Sequence, residues 1–419
     1  MAKKGLDLEK TAKTNMSASV ERTNAYANKV KQMFDETVKE ILKIKRTLPK
    51  IADGEMFSFD AQPPKVQKEV EVLMRRLSSA VTLATEEGIE LEWEKANKAV
   101  DGIISTVIGK NVLNDENFSG WQNRNKTAMR DFIRRTENAM SLSDRIWQTT
   151  RQLREEMEVA MTVSIGEGKS AAEMSRDVRQ YLNDPDLMFR RFRYKVSEKI
   201  VDDFDADGNK IGSHKEIEWG RKWKKKIKDK TGKVKWVDYD KDSYKVGRGV
   251  YKSASKNAMR VTRTETNMAY RRADQTRYRQ LDFVQGYHIE PVKDHDEDDC
   301  EPDICRQLAG DYPKDFIFEG WHPQCRCVCT PILIGQDDAI AMFRAKLHGE
   351  DYKKPQQITD YPQGFKDWCK DNADKIKETH KKGKDPYFVR HNFEIVSKAI
   401  KGEKFPAPEP KKTKTFFIF

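Results

Sequence analysis

The feature that most constrains the fold of this chain is a cluster of cysteine and histidine residues. The segment WHPQCRCVCTP holds His322, Cys325, Cys327 and Cys329, and the preceding stretch adds Cys300 and Cys305. A 419-residue chain with only six Cys and seven His thus gathers six of these residues between positions 300 and 329. Thiolate and imidazole are preferred ligands of Zn²⁺, and four of them around one ion tie separate loops together. The cluster therefore predicts a small domain stapled by a structural zinc ion.

The spacing of the donors leaves the ligand set open. Four residues separate Cys300 from Cys305 and only one separates Cys325 from Cys327, so the spacing as a whole is not a standard zinc pattern. We expect Cys300, Cys305, His322 and Cys325 to bind the ion, with Cys327 as the substitute fourth ligand. The alternatives are buried free thiols, redox or disulfide use, and a nucleophilic Cys–His pair. Cys369 lies apart, on an apolar helix face with Phe365 and Ile376, and is expected to be an ordinary core residue.

Composition sets limits on the compartment and the architecture. Hydrophobic residues make up 37% of the chain and charged residues 35%, and 419 residues exceed what one core usually supports. No apolar run is long enough to cross a bilayer, and the N-terminal residues lack the apolar segment of a signal peptide. We therefore expect a protein made in the cytoplasm, with no membrane partner, in which disulfides are disfavoured.

Helical periodicity dominates the first half of the chain. The first thirty residues are polar and without a period, which predicts a flexible arm. Apolar stripes then predict one helix ending before Pro49, a longer helix from Val66, and a helical pair between Leu142 and Asn183. Thr262 and Glu265 have the spacing of a capping box at the start of a further helix.

A basic segment lies in the middle of the chain, between residues 221 and 235. It holds nine Lys or Arg and one acid, which is most of the net charge of +11. Its pattern predicts a β-hairpin with one tryptophan face packed down, and the interleaved tryptophans also suit contact with nucleic acid. Both interpretations stay open here. The candidate nucleic-acid-binding residues are Arg221, Lys222, Trp223, Lys224, Lys225, Lys226 and Lys228.

Several short motifs together resemble those of the phage minor head proteins typified by the F protein of phage Mu, also called head morphogenesis proteins. The resemblance covers roughly residues 140–335. It rests on an Arg-Thr-Glu at Arg263 to Glu265, on Cys305 followed by Leu308 and Gly310, and on a His-Pro-x-Cys-Arg-Cys segment that includes Pro323 and Arg326. The chain has Ala309 where the family usually has Asp or a similar residue, and its first cysteine gap is wider than is common.

The resemblance implies a low-copy structural protein of the virion. Such a protein would be assembled in the bacterial cytoplasm, bind near the portal inside the capsid, contact portal and capsid or scaffold proteins, and touch packaged double-stranded DNA. The alternative is an effector carried in the head, either a metal-dependent nuclease or a toxin-like transferase. Its candidate catalytic groups, Arg263 with Glu265 or the acidic run around His295, do not form a convincing acid–base pair, so we expect no enzyme.

These observations predict an α+β protein with a mostly helical N-terminal half, a β-hairpin insertion and a small α+β C-terminal domain stapled by the cluster. The predicted segments are an arm with a first helix at 1–60, a helical region at 61–189, the basic hairpin at 190–250, the head-morphogenesis core at 251–335, and a helical tail with a disordered end at 336–419.

Overall fold

The computed structural model describes residues 7–44, 57–137, 139–166, 171–183, 189–204, 210–228, 234–238, 253–291, 302–353, 355–383 and 385–400. The α-helices are α1 Leu8–Ile44, α2 Pro64–Val107, α3 Ser119–Gln122, α4 Lys126–Arg134, α5 Leu142–Gly166, α6 Ala171–Asn183, α7 Ala254–Gln280, α8 Pro302–Gln307, α9 Gln336–His348, α10 Gln363–Asp371, α11 Ala373–Lys381, α12 Tyr387–His391 and α13 Phe393–Ala399. The strands are β1 Phe189–Phe204, β2 Lys210–Lys228, β3 Val234–Asp238, β4 Val284–Glu290, β5 Gly310–Pro313 and β6 Val328–Leu333. The prediction of an α+β fold with a helical N-terminal half is confirmed.

Helix α1 begins at Leu8, well before the position that we predicted. Its buried face includes Met16, Ser19, Thr23, Ala27 and Val30, which recur at the spacing of a helical stripe. Small polar residues occupy part of this stripe, so its pattern in the sequence is not apolar throughout. They can be buried because they are hydrogen-bonded: Ser19 Oγ donates to Glu92 Oε2 at 2.7 Å, and Thr23 Oγ1 to the Val20 carbonyl at 2.9 Å. Residues 8–30 are therefore packed helix and not a flexible arm.

Helix α7 begins earlier in the chain than we predicted. Thr262 and Glu265 lie in its middle, so the capping-box interpretation is wrong. Both side chains have tertiary partners instead. Thr262 Oγ1 lies 2.9 Å from Thr85 Oγ1 of α2, and Glu265 accepts from two arginines. The helix starts at Ala254, whose backbone N–H donates to the buried carboxylate of Glu156 at 3.1 Å.

The strands form two separate antiparallel sheets. In one, β2 lies between β1 and β3, which confirms the predicted hairpin and adds a third strand. In the other, β4 lies between β5 and β6. Gly286 of β4 has no room for a side chain, because a Cβ there would lie 2.6 Å from the Tyr312 carbonyl oxygen and 2.8 Å from Ile358 Cδ1.

The chain forms two compact units, and each is assembled from segments that are distant in sequence. The cluster unit comprises Met1–Val30, Ala80–Ile146 and Met259–Phe419, and the ribbon unit comprises Lys31–Ser79 and Trp147–Ala258. The five consecutive segments that we predicted describe the order of elements along the chain. The two units describe how those elements pack.

An aromatic core fills the cluster unit. Tyr312, Phe316 and Trp321 pack with ring centroids 4.4 to 5.9 Å apart, and Phe365 and Phe388 extend the group. Because Phe365 and Phe388 belong to α10 and α12, the C-terminal helices are part of this core. The predicted tail is thus packed as far as residue 400, and the expected disordered end falls outside the described residues.

Candidate metal centre

Three of the predicted ligands converge in the cluster unit. Cys305 is on α8, and His322 and Cys325 are on the loop that joins β5 to β6. Their ligand atoms all lie within 4.8 Å of one another, and Cys305 Sγ is 3.1 Å from His322 Nε2. Both cysteines are buried and the histidine is half-buried. The arrangement can hold a metal ion.

A tight turn places His322 and Cys325 side by side. The Cys325 backbone N–H donates to the His322 carbonyl at 3.1 Å, Pro323 is the second residue of the turn, and Gln324, the third, has a φ of 61°. Proline at the second position and a positive φ at the third are the signature of a type II β-turn. This turn supplies the bend that an extended segment lacks, and it gives the family-motif proline a structural role.

The orientation of the histidine ring suits metal binding. His322 Nδ1 is 2.9 Å from the backbone carbonyl of Pro323, which can only accept a hydrogen bond. Nδ1 therefore carries the proton, and in the neutral ring Nε2 presents its lone pair toward Cys305. Fixing one ring nitrogen on a carbonyl while the other binds is the usual arrangement for metal-ligating histidines.

The thiols of the cluster differ in their tendency to ionise. Burial opposes ionisation of Cys325, but hydrogen bonds with Cys305, Cys327 and His322 outweigh it, so the pKa of Cys325 lies well below the ordinary thiol value. A hydrogen bond with Cys305 lowers the pKa of Cys327, but its interaction with Cys325 and its burial raise that pKa well above the ordinary value. One thiolate held beside a second thiol is a donor set that suits a soft or borderline metal ion.

Arg271 of α7 holds the loop that carries these ligands. Its Nη2 donates to the backbone carbonyls of Cys325 and Cys327, the latter at 3.1 Å, and its Nη1 donates to the Glu319 carbonyl at 3.2 Å. The side chain is only 2% exposed, so these bonds form away from water. Sequence reasoning missed this residue, because one more arginine on a basic helix has no distinguishing spacing.

Gly320 lets the loop pass close to the cluster. Its φ is 120°, and a Cβ there would lie 2.9 Å from Cys325 Cβ and 3.2 Å from Arg271 Nη1. Only glycine adopts this φ without strain and leaves room for both neighbouring atoms.

Cys329 and Cys369 do not join the three donors. Cys329 of β6 is buried, burial raises its pKa to about 12, and its sulfur lies 3.9 Å from Gln275 Nε2. Cys369 is a fully buried core residue, as predicted, and burial raises its pKa to about 12. It lies on α10 with Phe365, whereas Ile376 belongs to α11, so the predicted helix face is divided between two helices. Cys300 falls outside the described residues, so its place in the ligand set stays a prediction.

The family-motif residues form the frame of the same unit. Arg263 Nε donates to Asn24 Oδ1 at 2.9 Å, whereas Glu265 accepts from Arg145 at 2.6 Å and from Arg135 at 2.8 Å. Arg263 and Glu265 therefore do not form the acid–base pair considered for an enzyme. The acidic run around His295 falls outside the described residues.

Two other motif positions lie closer to the cluster in sequence. Gly310 has a φ of 141°, and a Cβ there would meet Pro362 Cγ at 2.8 Å, so the family-motif glycine is required by packing. Arg326 is half-buried between the two motif cysteines.

The C-terminal helices also contact the loop that joins β5 to β6. Asn392 Oδ1 accepts from the Ile317 backbone N–H, and its Nδ2 donates to the Ile317 carbonyl, both at 2.7 Å. Glu319, which is buried, has His391 Nδ1 3.2 Å and Arg272 Nη1 3.6 Å from its carboxylate. Burial alone would raise the pKa of Glu319, but His391, Arg135 and Arg272 outweigh it and lower that pKa.

The predicted nucleic-acid-binding residues lie on β2, in the ribbon unit. Pairing places Trp223 opposite Arg191 and Trp236 opposite Lys226. The packing of the tryptophan side chains falls outside what the structure describes, so the expectation of one packed tryptophan face stays a prediction.

Comparison with known proteins adds no identification. No family model matches the chain, and no match to it is found among curated proteins or solved structures. Within the described residues, no helix is both long enough and apolar enough to cross a membrane.

Proposed function

We propose that the cluster is a structural zinc site formed by Cys305, His322 and Cys325, with Cys327 as the fourth ligand. Cys327 is favoured because its thiol interacts with both Cys305 and Cys325. Three thiols and one imidazole are a common donor set for closed zinc sites, in which the ion holds loops together and leaves no position for a substrate. The ion would join α8 to the β5–β6 loop.

We further propose that the chain is a phage minor head protein that acts in head morphogenesis. The observation that supports this most is that the family-motif residues belong to one compact unit. Helix α7 provides Arg263 and Glu265, and its next turns provide Arg271, whose guanidinium holds the His-Pro-x-Cys-Arg-Cys loop. The short motifs, each of which would be weak evidence alone, thus lie together in the cluster unit.

On this proposal the protein belongs to the virion, inside the capsid and near the portal. Its partners are the portal protein, capsid or scaffold proteins and packaged double-stranded DNA. The resemblance supports the protein partners, and the basic strand β2 supports contact with DNA. With Cys327 as the fourth ligand the donor set would be closed, and this favours the structural role over the nuclease or transferase alternative, because a catalytic zinc site keeps an open position.

The proposal is tested on particles released by the bacterium whose genome encodes the chain. Particles are banded by density, and the chain is quantified by mass spectrometry in DNA-filled heads and in empty heads. We expect a few copies per particle, in fixed ratio to the portal protein. A chain that is absent from particles, or that is present only in the lysate, contradicts the head-protein proposal.

A further inference from the structure

Helix α12 is fixed against the loop that joins β5 to β6 and carries two of the ligands. The Phe388 ring of α12 packs on Trp321 of this loop, with the ring centroids 5.3 Å apart. His391, at the other end of α12, has its Nδ1 3.2 Å from the carboxylate of Glu319 in the loop. The first residue of the helix, Tyr387, is therefore held in place beside the ligand loop.

The hydroxyl of Tyr387 lies close to Cys325. A Cβ placed on Gly320 would be 3.4 Å from Tyr387 Oη and 2.9 Å from Cys325 Cβ. Both atoms are thus within 3.4 Å of one point, and Gly320 has no side chain that would separate them. The phenol and the thiol consequently border the same small space.

The hydrogen-bonding capacity of this hydroxyl is unused. Tyr387 Oη is buried, and within the described part of the chain no group is hydrogen-bonded to it. Two other buried tyrosines of the cluster unit have carbonyl partners. Tyr287 donates to the Lys314 carbonyl at 3.0 Å. Tyr312 donates to the Leu308 carbonyl at 2.7 Å. Because buried tyrosine hydroxyls usually have such a partner, we expect one for Tyr387 as well.

The sulfur of Cys325 is the acceptor that suits this donor. Burial raises the pKa of Tyr387 well above the ordinary tyrosine value, so its hydroxyl keeps its proton at neutral pH. Arg271 Nη1 lies 3.2 Å from the same point, but a guanidinium can only donate. The carboxylate of Glu319 already faces His391. A cysteine that binds a metal ion is a thiolate, which accepts a hydrogen bond more strongly than a thiol does.

We propose that Tyr387 is a positioning residue of the metal centre, and that its hydroxyl donates to the Cys325 thiolate while the ion is bound. The inference rests on the proposed zinc site and adds to it a group from α12, outside the four ligands. A hydrogen bond from such a group holds a ligand in one orientation and tunes its interaction with the metal. Because the metal-free thiol is the weaker acceptor, the bond favours the bound state.

The test replaces Tyr387 by Phe in the full-length chain, which removes the hydroxyl and keeps the ring. Tyr287→Phe is the matched control, because it also removes one buried hydroxyl of the cluster unit, but one that donates to a backbone carbonyl. Three quantities are measured for each protein. They are the melting temperature after a chelator has removed the metal, the zinc affinity by competition with a chelator, and the energy of the sulfur-to-metal charge-transfer band after loading with Co²⁺.

We expect Tyr387→Phe to bind zinc roughly 10- to 100-fold more weakly than the wild type. Its charge-transfer band should move to lower energy, because a thiolate that loses a hydrogen bond transfers charge to the metal more easily. The metal-free variant should melt at the same or a higher temperature, since a buried hydroxyl without a partner has been removed. Tyr287→Phe should have a lower melting temperature, with zinc affinity and band unchanged.

An unchanged affinity and an unchanged band in Tyr387→Phe would overturn the inference. A lower melting temperature of the metal-free variant with an unchanged band would also overturn it, by assigning the hydroxyl to a structural partner such as Glu319. The band is measured on the loaded protein, so the test holds even if the metal-free protein does not fold. Wild-type protein that binds neither Zn²⁺ nor Co²⁺ would contradict the metal site itself and this inference with it. The two proposals therefore fail by different results.

Discussion

At the level of single residues, the loop that carries the ligands depends most on Arg271. Lysine at this position keeps the charge but cannot reach three carbonyls with a planar fork. We expect Arg271→Lys to lower the free energy of unfolding by roughly 2 to 4 kcal/mol, because buried carbonyls lose their donors. Metal affinity should fall by roughly 10- to 100-fold, as for other residues that orient ligands. Chemical denaturation and competition with a chelator measure the two effects.

Arg279 provides the control for that substitution. It lies on the same helix and also donates to two loop carbonyls, those of Lys314 and Asp315, but it is exposed. Arg279→Lys should change stability by less than about 1 kcal/mol and leave metal affinity unchanged. Equal effects of the two substitutions would show that the burial of Arg271 does not matter.

Gly320 allows a second residue-level test. Gly320→Ala forces an unfavourable φ and a Cβ 2.9 Å from Cys325 Cβ, whereas Gly109→Ala forces a similar φ of 130° with no atom within 4 Å. Each should lose about 1 to 3 kcal/mol from backbone strain. Only Gly320→Ala should also lose bound metal, as measured by elemental analysis. If Gly320→Ala keeps its full metal content, the close approach of residue 320 to Cys325 does not matter for metal binding.

Single residues also show how far sequence reasoning reaches here. Cys305, His322 and Cys325 were predicted as ligands because their chemistry is rare in this chain, and they do meet. Arg271 and Gly320 could not be found, since their roles depend on approach distances between α7 and a loop that has no periodic pattern. A donor is visible in a sequence, but the groups that hold it in place are not.

At the level of elements, Glu319 links the β5–β6 loop to α7 and α12. Its lowered pKa means that its ion pairs contribute stability above the ordinary value of 4.5, and that this contribution is lost as pH falls through the lower folded-state value. We expect Glu319→Gln to cost about 3 kcal/mol at neutral pH, because half-buried Arg272 and His391 lose the buried carboxylate that faces them.

The pH dependence of this loss of stability shows whether Glu319 is the group responsible. The difference in unfolding free energy between wild type and Glu319→Gln should persist from about pH 7 to 5 and shrink only below the ordinary carboxyl value, as wild-type Glu319 takes up a proton. Denaturant titrations at a series of pH values measure it. A difference that closes already between pH 7 and 6 would assign the effect to another group.

The elements also explain where prediction from sequence fails. Apolar stripes located the helices that pack through large side chains, such as the one from Val66 in α2. The stripe of α1 escaped notice because Ser19 and Thr23 occupy it, and their burial depends on partners that only the fold provides.

At the scale of the whole molecule, the metal centre and the basic strand β2 belong to different compact units. Replacing the lysines of β2 by glutamine should therefore leave the metal content unchanged, while loss of a metal ligand should leave the salt slope of DNA binding unchanged. The sequence predicted both features but not this division, because the two units are assembled from alternating segments of the chain.

The most direct test of the metal centre is elemental analysis of the full-length chain purified without chelator. We expect about one zinc per chain in the wild type and in Cys369→Ser, and a large loss in Cys305→Ser and Cys325→Ser. Cys327→Ser should lose the ion if Cys327 is the fourth ligand and keep it if Cys300 is. Wild-type protein with no bound metal, and with every thiol open to a titrating reagent once unfolded, would contradict the account.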